Sequence, residues 1–150
     1  MGIVRPRAEA RQLVLELDVP ADIPPVAADP ERLHQILDNL MDNAVKYAPS
    51  GSKITASARF TEGSVEAVVS NPAGPHRPDP ERIFERFYRS DPSRSAAAGG
   101  VGLGLAISRE LATAMGGRLW ADIDGGGNLR VHLTLPAAKR PEAQQPASAA

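Results

Sequence analysis

Apolar positions along this chain recur with two periods, and the alternation between them predicts most of the elements. Residues 12–19 alternate strictly, with Leu13, Leu15, Leu17 and Val19 on one face, which predicts a half-buried strand. Residues 3–11 are short and mixed, and read as the end of a helix entering the domain. After an irregular stretch with Pro20, Pro24 and Pro25, Asp29-Pro30-Glu31-Arg32 opens a helix, with Asp29 as N-cap and Pro30 at its first position. Leu33, Ile36, Leu37, Leu40 and Ala44 give that helix an apolar side, and Pro49 and Gly51 end it near Ala48.

Two more alternating runs follow: Ile54, Ala56, Ala58 and Phe60 on one, Val65, Ala67 and Val69 on the other, joined at Glu62-Gly63 as a hairpin. Residues 71–80 hold four prolines and read as a loop. Asp79-Pro80-Glu81-Arg82 repeats the earlier helix start and predicts a short helical segment through Ile83, Phe84 and Phe87. Residues 89–102 offer almost nothing to bury and read as mobile. Helical spacing returns over 104–115 through Ile107, Leu111, Ala114 and Met115, stopped by Gly116-Gly117. Leu119, Ala121 and Ile123 then predict a strand, 124–127 a turn, and Leu129, Val131, Leu133 and Leu135 a last strand. Five strands with one apolar face and two or three helices predict an α/β two-layer sandwich. Its mixed, mostly antiparallel five-stranded sheet would carry the helices on one face.

Composition narrows the class without changing that picture. A chain of 150 residues with 42% hydrophobic content is one ordinary domain, here expected over 3–136, with 137–150 a disordered tail. A net charge of −1 and no basic cluster leave no footprint for nucleic acid. There are no cysteines, so no disulfides or thiolate metal sites, which fits a cytoplasmic setting. No apolar run reaches about 18 residues and no signal-peptide core is present, so this segment is not expected to enter a membrane. The start at Met1-Gly2 is compatible with a domain excised from a longer chain.

Two stretches carry candidate chemistry. Asn39, Asn43, Lys46 and Tyr47 fall at i, i+4, i+7 and i+8, on one stripe of the first long helix. Amide oxygens ligate hard cations, an ammonium meets phosphate, and a phenol packs against a ring, so the stripe suits a magnesium–nucleotide complex. Far downstream, Gly99-Gly100-Val101-Gly102-Leu103-Gly104-Leu105 runs into a helix, and glycine backbone at a helix N-terminus can hold an anion. No lysine follows in the P-loop manner and no strand precedes, so P-loop and dinucleotide fingerprints fit poorly.

In family order, these stretches resemble the ATP-binding catalytic domain of sensor histidine kinases, within the gyrase, Hsp90, histidine-kinase and MutL superfamily. Asn39-Leu40-Met41-Asp42-Asn43-Ala44-Val45-Lys46-Tyr47 is similar to the N box. Phe84-Glu85-Arg86-Phe87-Tyr88-Arg89 is similar to the F box, and Gly100-Val101-Gly102-Leu103-Gly104-Leu105 to the second glycine box. The resemblance implies that Asn43 ligates Mg²⁺ bridging the ATP phosphates, with Asn39 supporting it. Lys46 and Arg89 would contact phosphate, Tyr47 would pack near adenine or ribose, and Gly100, Gly102, Leu103, Gly104 and Leu105 would close over the phosphates. Phe84 and Phe87 would pack in the core and anchor a lid over residues 89–100.

One box departs from the family pattern. Its first glycine box, Asp-x-Gly-x-Gly, corresponds here to Ser70-Asn71-Pro72-Ala73-Gly74-Pro75. An ungapped count puts Ser70 at the aspartate position; one deletion puts Asn71 there. Either way the carboxylate that reads the adenine amine is missing. ATP-hydrolysing relatives carry a glutamate four residues before the metal asparagine, where this chain has Asn39, which cannot take a proton from water. His34, His76 and His132 lie outside any phosphoacceptor-like sequence, and Trp120 reads as a packing or interface residue.

The resulting expectation is the catalytic domain of a two-component kinase, without its own phosphoacceptor histidine. It would donate the ATP γ-phosphoryl to a histidine on the kinase's separate dimerisation domain, with a response regulator downstream. It would work in the cytoplasm whether or not the parent protein is anchored to a membrane. The alternative is a degenerate, non-catalytic docking module of the same fold.

Overall fold

The computed structural model describes residues 4–74, 77–88 and 103–138. Among them are three helices and five strands: α1 (Val4–Ala10), β1 (Val14–Asp18), α2 (Pro30–Tyr47), β2 (Lys53–Thr61), β3 (Ser64–Pro72), α3 (Gly104–Ala114), β4 (Arg118–Ile123) and β5 (Asn128–Pro136). They form a single sheet in the order β1-β2-β3-β5-β4. Only β1 and β2 run parallel, as they must when the 18-residue helix α2 carries the chain between them. The other three pairings are antiparallel. This is the expected two-layer α/β sandwich, with the helices on one face.

The β2–β3 turn shows why the register is set. Glu62 and Gly63 both take positive φ, 52° and 81°, the backbone of a tight hairpin turn whose twist matches its strands. Ile54, Val69, Leu129, Val131, Leu133 and Leu119 then fall beneath the helices and are buried there. From above, α2 contributes Ile36, Leu40, Ala44 and also Met41 and Val45 to the same core. At the α3–β4 junction Gly116 takes φ 77°, and a Cβ on Gly117 would lie 2.2 Å from the Thr134 carbonyl oxygen. Only glycine lets the chain turn so close to β5.

Four expectations are corrected. The alternation over 12–19 does not bury one whole face: Leu13 is buried, but Leu17 is 68% exposed and Val19 is also exposed. They lie at the outer end of an edge strand, as exposed as Phe60 near the end of β2, where no helix covers the sheet. The segment 79–88 is not a regular helix. It makes one turn, with Ile83 N–H donating to the Asp79 carbonyl at 3.1 Å, and then breaks at Phe87, whose φ is 65°. Phe84 is buried as expected, yet Phe87 is 67% exposed, so it does not pack in the core. Strand β3 runs through Asn71 and Pro72, into what read as a loop, because both remain paired with β5. Finally, Ala137 and Ala138 belong to the folded body, their N–H groups donating to the carbonyls of Gly63 and Pro25. Residues 139–150 lie outside the described residues.

On the uncovered face of the sheet, Trp120 stacks on His132 with ring centroids 4.9 Å apart, which buries the histidine. Asp122 sits beside this stack in a two-point pair with Arg130, at 2.7 and 2.9 Å. The Arg130 bond holds the Asp122 carboxyl below the usual carboxylate range, with His132 adding to the effect. No helix of the described residues is long and apolar enough to cross a membrane.

Gln12 sits between α1 and β1 with φ 60°, a conformation that costs a side-chain-bearing residue about 1–2 kcal/mol. Gln12→Gly should therefore raise stability by about 0.5–1 kcal/mol after its greater unfolded-chain entropy is counted. Chemical denaturation of both proteins checks the sign.

Candidate nucleotide site between α2 and α3

Asp29 starts α2 as the sequence predicts: its carboxylate accepts from Glu31 N–H at 2.9 Å and Arg32 N–H at 3.5 Å. Fixing the start of an 18-residue helix fixes the azimuth of every residue along it, so the Asn39–Asn43 stripe is aimed from there. The stripe points toward the beginning of α3. Asn39 Nδ2 donates to the Gly104 carbonyl at 3.0 Å and to Ser108 Oγ at 2.8 Å. A Cβ on Gly104 would just reach van der Waals contact with the Asn39 side chain, at 3.4 Å.

Asn39 thus ties the helix carrying Asn43 to the helix that follows the glycine-rich stretch. Asn43, one turn on, is only 8% exposed, and its Nδ2 is buried with no hydrogen-bond partner among the described residues. A buried amide left in this state has a geometry that a ligand can complete, since orphaned polar groups are costly. Nearly another turn on, Lys46 Nζ lies 5.5 Å from the Tyr47 ring centroid, keeping ammonium and phenol together at the end of the stripe.

The altered first glycine box docks against this same end of α2. Gly74 takes φ 77°, and a Cβ there would lie 3.4 Å from the Tyr47 carbonyl oxygen and 3.6 Å from Pro49, so the box keeps a glycine where the approach is tight. The two candidates for the aspartate position are separated by strand alternation. Asn71 pairs with Leu129 and is 2% exposed on the helix-covered side, whereas Ser70 pairs with Thr55 and Arg130 and falls on the opposite face. Asn71 Nδ2 is held by the Pro72 carbonyl at 2.8 Å, which leaves its Oδ1 as the remaining acceptor.

Leu103 is half-buried, and its carbonyl accepts the Ile107 N–H at 3.0 Å in the first turn of α3. Leu105 is buried in the core. The F-box segment packs on the far side of α3: Arg109 lies 5.1 Å above the Phe84 ring, and Arg86 pairs with Glu110 at 3.1 Å. Arg89, Gly100 and Gly102, the expected lid over 89–100, and His76 lie outside the described residues. The structure therefore brings together Asn39, Asn43, Lys46, Tyr47, Gly74 and Gly104, with Asn71 on the same side of the sheet and Ser70 on the other. Ser108, fully buried and bonded to Asn39, was not singled out from the sequence. Its signal was a hydroxyl one turn after Gly104 on an otherwise apolar helix face.

Comparison with known proteins identifies the family. The family described as histidine kinase-, DNA gyrase B-, and HSP90-like ATPase matches residues 28–139. The adaptive-response sensory kinase SasA of Trichormus variabilis is 39% identical over 139 residues, 91% of this chain and 34% of that protein. The sensor histidine kinase CusS of Escherichia coli is 39% identical over 124 residues, 82% of this chain and 26% of that protein. Among solved structures, the mycobacterial sensor histidine kinase MprB superposes with a TM-score of 0.71 at 27% identity, covering 92% of this chain and 91% of that one. Full-length ShkA, solved with AMPPNP, gives 0.73 at 30% identity, covering 93% of this chain and 30% of that one. The chain belongs to the histidine kinase-, DNA gyrase B- and HSP90-like ATPase family, as an ATP-binding catalytic domain of the sensor-histidine-kinase type. It spans about a third of the length of the SasA relative it matches.

If Asn39 is the tie between α2 and α3, Asn39→Ala should cost about 1–3 kcal/mol, because it takes the partner from the buried Ser108 hydroxyl and the second donor from the Gly104 carbonyl. Ser108→Ala should cost less, and the double variant should fall short of the sum by at least about 0.5 kcal/mol. Denaturant melts of the four proteins read that coupling. Strict additivity would show that the contact carries no energy of its own.

Proposed function

We propose that this domain binds Mg-ATP between α2 and α3 and donates the γ-phosphoryl to a histidine on a separate dimerisation domain of the same kinase. From there the group would pass to a response regulator. The observation that carries this reading is the meeting of the Asn39–Asn43–Lys46 stripe with the glycine N-terminus of α3. Asn39 bonds that helix start directly, with Asn43 and Lys46 following on the same stripe, and a helix N-terminus is where phosphate is favourably held.

In this reading Asn43 would give Mg²⁺ its amide oxygen, while its buried Nδ2, without a hydrogen-bond partner among the described residues, would donate to a phosphate oxygen. Among the described residues no group of three or more His, Asp or Glu side chains forms a metal cage. That suits an ion that binds through one or two protein ligands and the phosphates themselves. When bound, Mg²⁺ supplies neutralisation of phosphate charge. Lys46 neutralises a further phosphate oxygen, and Arg89 adds a second cation. Tyr47 packs against the adenine or ribose. Gly100, Gly102, Leu103, Gly104 and Leu105 form the backbone cradle and its support. Asn71 offers Oδ1 to the adenine amine, in place of the family's carboxylate.

Asn39 has a narrower role than a catalytic one. With its Nδ2 committed to Gly104 and Ser108, it holds the two phosphate-binding elements at a fixed spacing. No carboxylate stands there to deprotonate water, which favours phosphoryl transfer over hydrolysis. The alternative, a degenerate docking module, rests on the altered first glycine box alone, and the likeness to sensor histidine kinases does not favour it.

Calorimetry with Mg-ATP tests the binding reading directly. Binding should be measurable, and Asn43→Ala should remove its Mg²⁺ dependence. Replacing the charge-assisted bond to adenine by a neutral one costs roughly 1–2 kcal/mol, about five- to thirtyfold in affinity. Discrimination between ATP and GTP should accordingly be poor. Asn71→Asp should tighten ATP selectively, while Ser70→Asp, on the other face of the sheet, should not. Tight wild-type ATP binding with strong rejection of GTP would mean that another group reads the base.

Incubation of the chain alone with labelled ATP should leave it unlabelled and hydrolyse ATP only slowly. Adding a matching dimerisation domain should restore transfer. Acid-labile label on His34, His76 or His132 would overturn the assignment of the acceptor to another domain.

A further inference from the structure

The C-terminus of α2 is held from outside the helix. We propose that Arg11 is a positioning residue that couples the docking of α1 to nucleotide loading at the end of α2. The inference rests on the reading of α2 as the nucleotide helix.

The last carbonyls of a helix have no partners within it, and they form the negative end of its dipole. α2 ends abruptly at Tyr47, because Ala48 is extended with ψ 133°, and no glycine cap follows directly. The Arg11 guanidinium takes up this end instead, donating to the carbonyls of Val45 and Ala48. The two residues it brackets are Lys46 and Tyr47. Arg11 also holds the chain beyond the helix, since its own carbonyl accepts the Gly51 N–H at 3.0 Å. The Tyr47 carbonyl in the same turn lies where the first glycine box approaches at Gly74, so the clamp supports that box too.

Arg11 is itself placed by α1. Ala8 is buried in the core, and its carbonyl accepts from Arg11 N–H at 3.2 Å and Leu13 N–H at 2.8 Å. Gln12, at φ 60°, then turns the chain into β1. A guanidinium can fork to two carbonyls at once, whereas a lysine offers a single point charge. If α1 undocks, the clamp is lost and the last turn of α2 frays, taking Lys46 and Tyr47 out of register with Asn43. By linkage, a ligand that orders Lys46 and Tyr47 must stabilise α1 docking by the same factor.

The test combines calorimetry with hydrogen–deuterium exchange of residues 4–12, with and without Mg-AMPPNP. It uses the wild-type chain, Arg11→Lys and Arg11→Met, each well below its melting temperature. Nucleotide should slow exchange over 4–12 in the wild type. Arg11→Met should lose that response and bind nucleotide about fivefold or more weakly, and Arg11→Lys should fall between. A purely structural arginine would lower the melting temperature but leave both nucleotide affinity and the exchange response unchanged, which overturns the coupling alone. Should Arg11→Met not fold, the wild-type response and Arg11→Lys decide the matter. A wild type that binds no nucleotide overturns the nucleotide reading and the coupling with it.

Discussion

One helix has to satisfy two solvents at once, and the rest of the structure follows from how it does so. Helix α2 turns Ile36, Leu40, Met41, Ala44 and Val45 into the core while Asn39, Asn43, Lys46 and Tyr47 share a polar stripe whose first residue bonds the start of α3. Burying a large aliphatic side chain contributes roughly 1.5–3 kcal/mol, so the core face sets the rotation of the helix, and the polar stripe is carried with it. The stripe needs no loop to position it. A site built on a packed helix keeps its spacing far better than one built on a surface connection.

The contact between Asn39 and the first turn of α3 turns this helix into one wall of a site. Two elements 65 positions apart in sequence meet through one amide, whose Nδ2 bonds the Gly104 carbonyl and the Ser108 hydroxyl. The backbone of Gly104, a glycine that read as phosphate chemistry, also serves packing, since its carbonyl accepts the Asn39 amide. Asn39 fixes geometry through its amide, a group that cannot take a proton from water.

Much of the fold was legible in local pattern, for identifiable reasons. Alternation and turn chemistry located β2, β3, β4 and β5, because each strand has one face under the helices and the period-2 signal is strong. Asp29-Pro30 marked the start of α2 because capping is a local interaction between residues two and three apart. The pattern misled where burial depends on what lies overhead. Leu17 and Val19 continue the apolar alternation of β1 but sit at the exposed end of this edge strand, away from Leu13, which is buried. Phe87 belongs to an aromatic box yet faces outward, because the backbone breaks into a positive φ there.

The candidate site divides along the same line. The sequence by itself determined which chemistry is on offer: two amides, an ammonium and a phenol on one helical stripe, and a glycine-rich stretch ahead of another helix. Those are matters of spacing along the chain, which helical geometry converts into a shared face. Tertiary structure decided which groups meet. It turned Asn71 under the helices and Ser70 to the open face, a choice that strand alternation makes only once β3 is paired with β5. It committed Asn39 to Ser108 and set Arg11 at the end of α2, contacts spanning 69 and 34 positions or more. No local rule encodes such contacts. They exist because the core fixes the separation of helices that the sequence lists far apart.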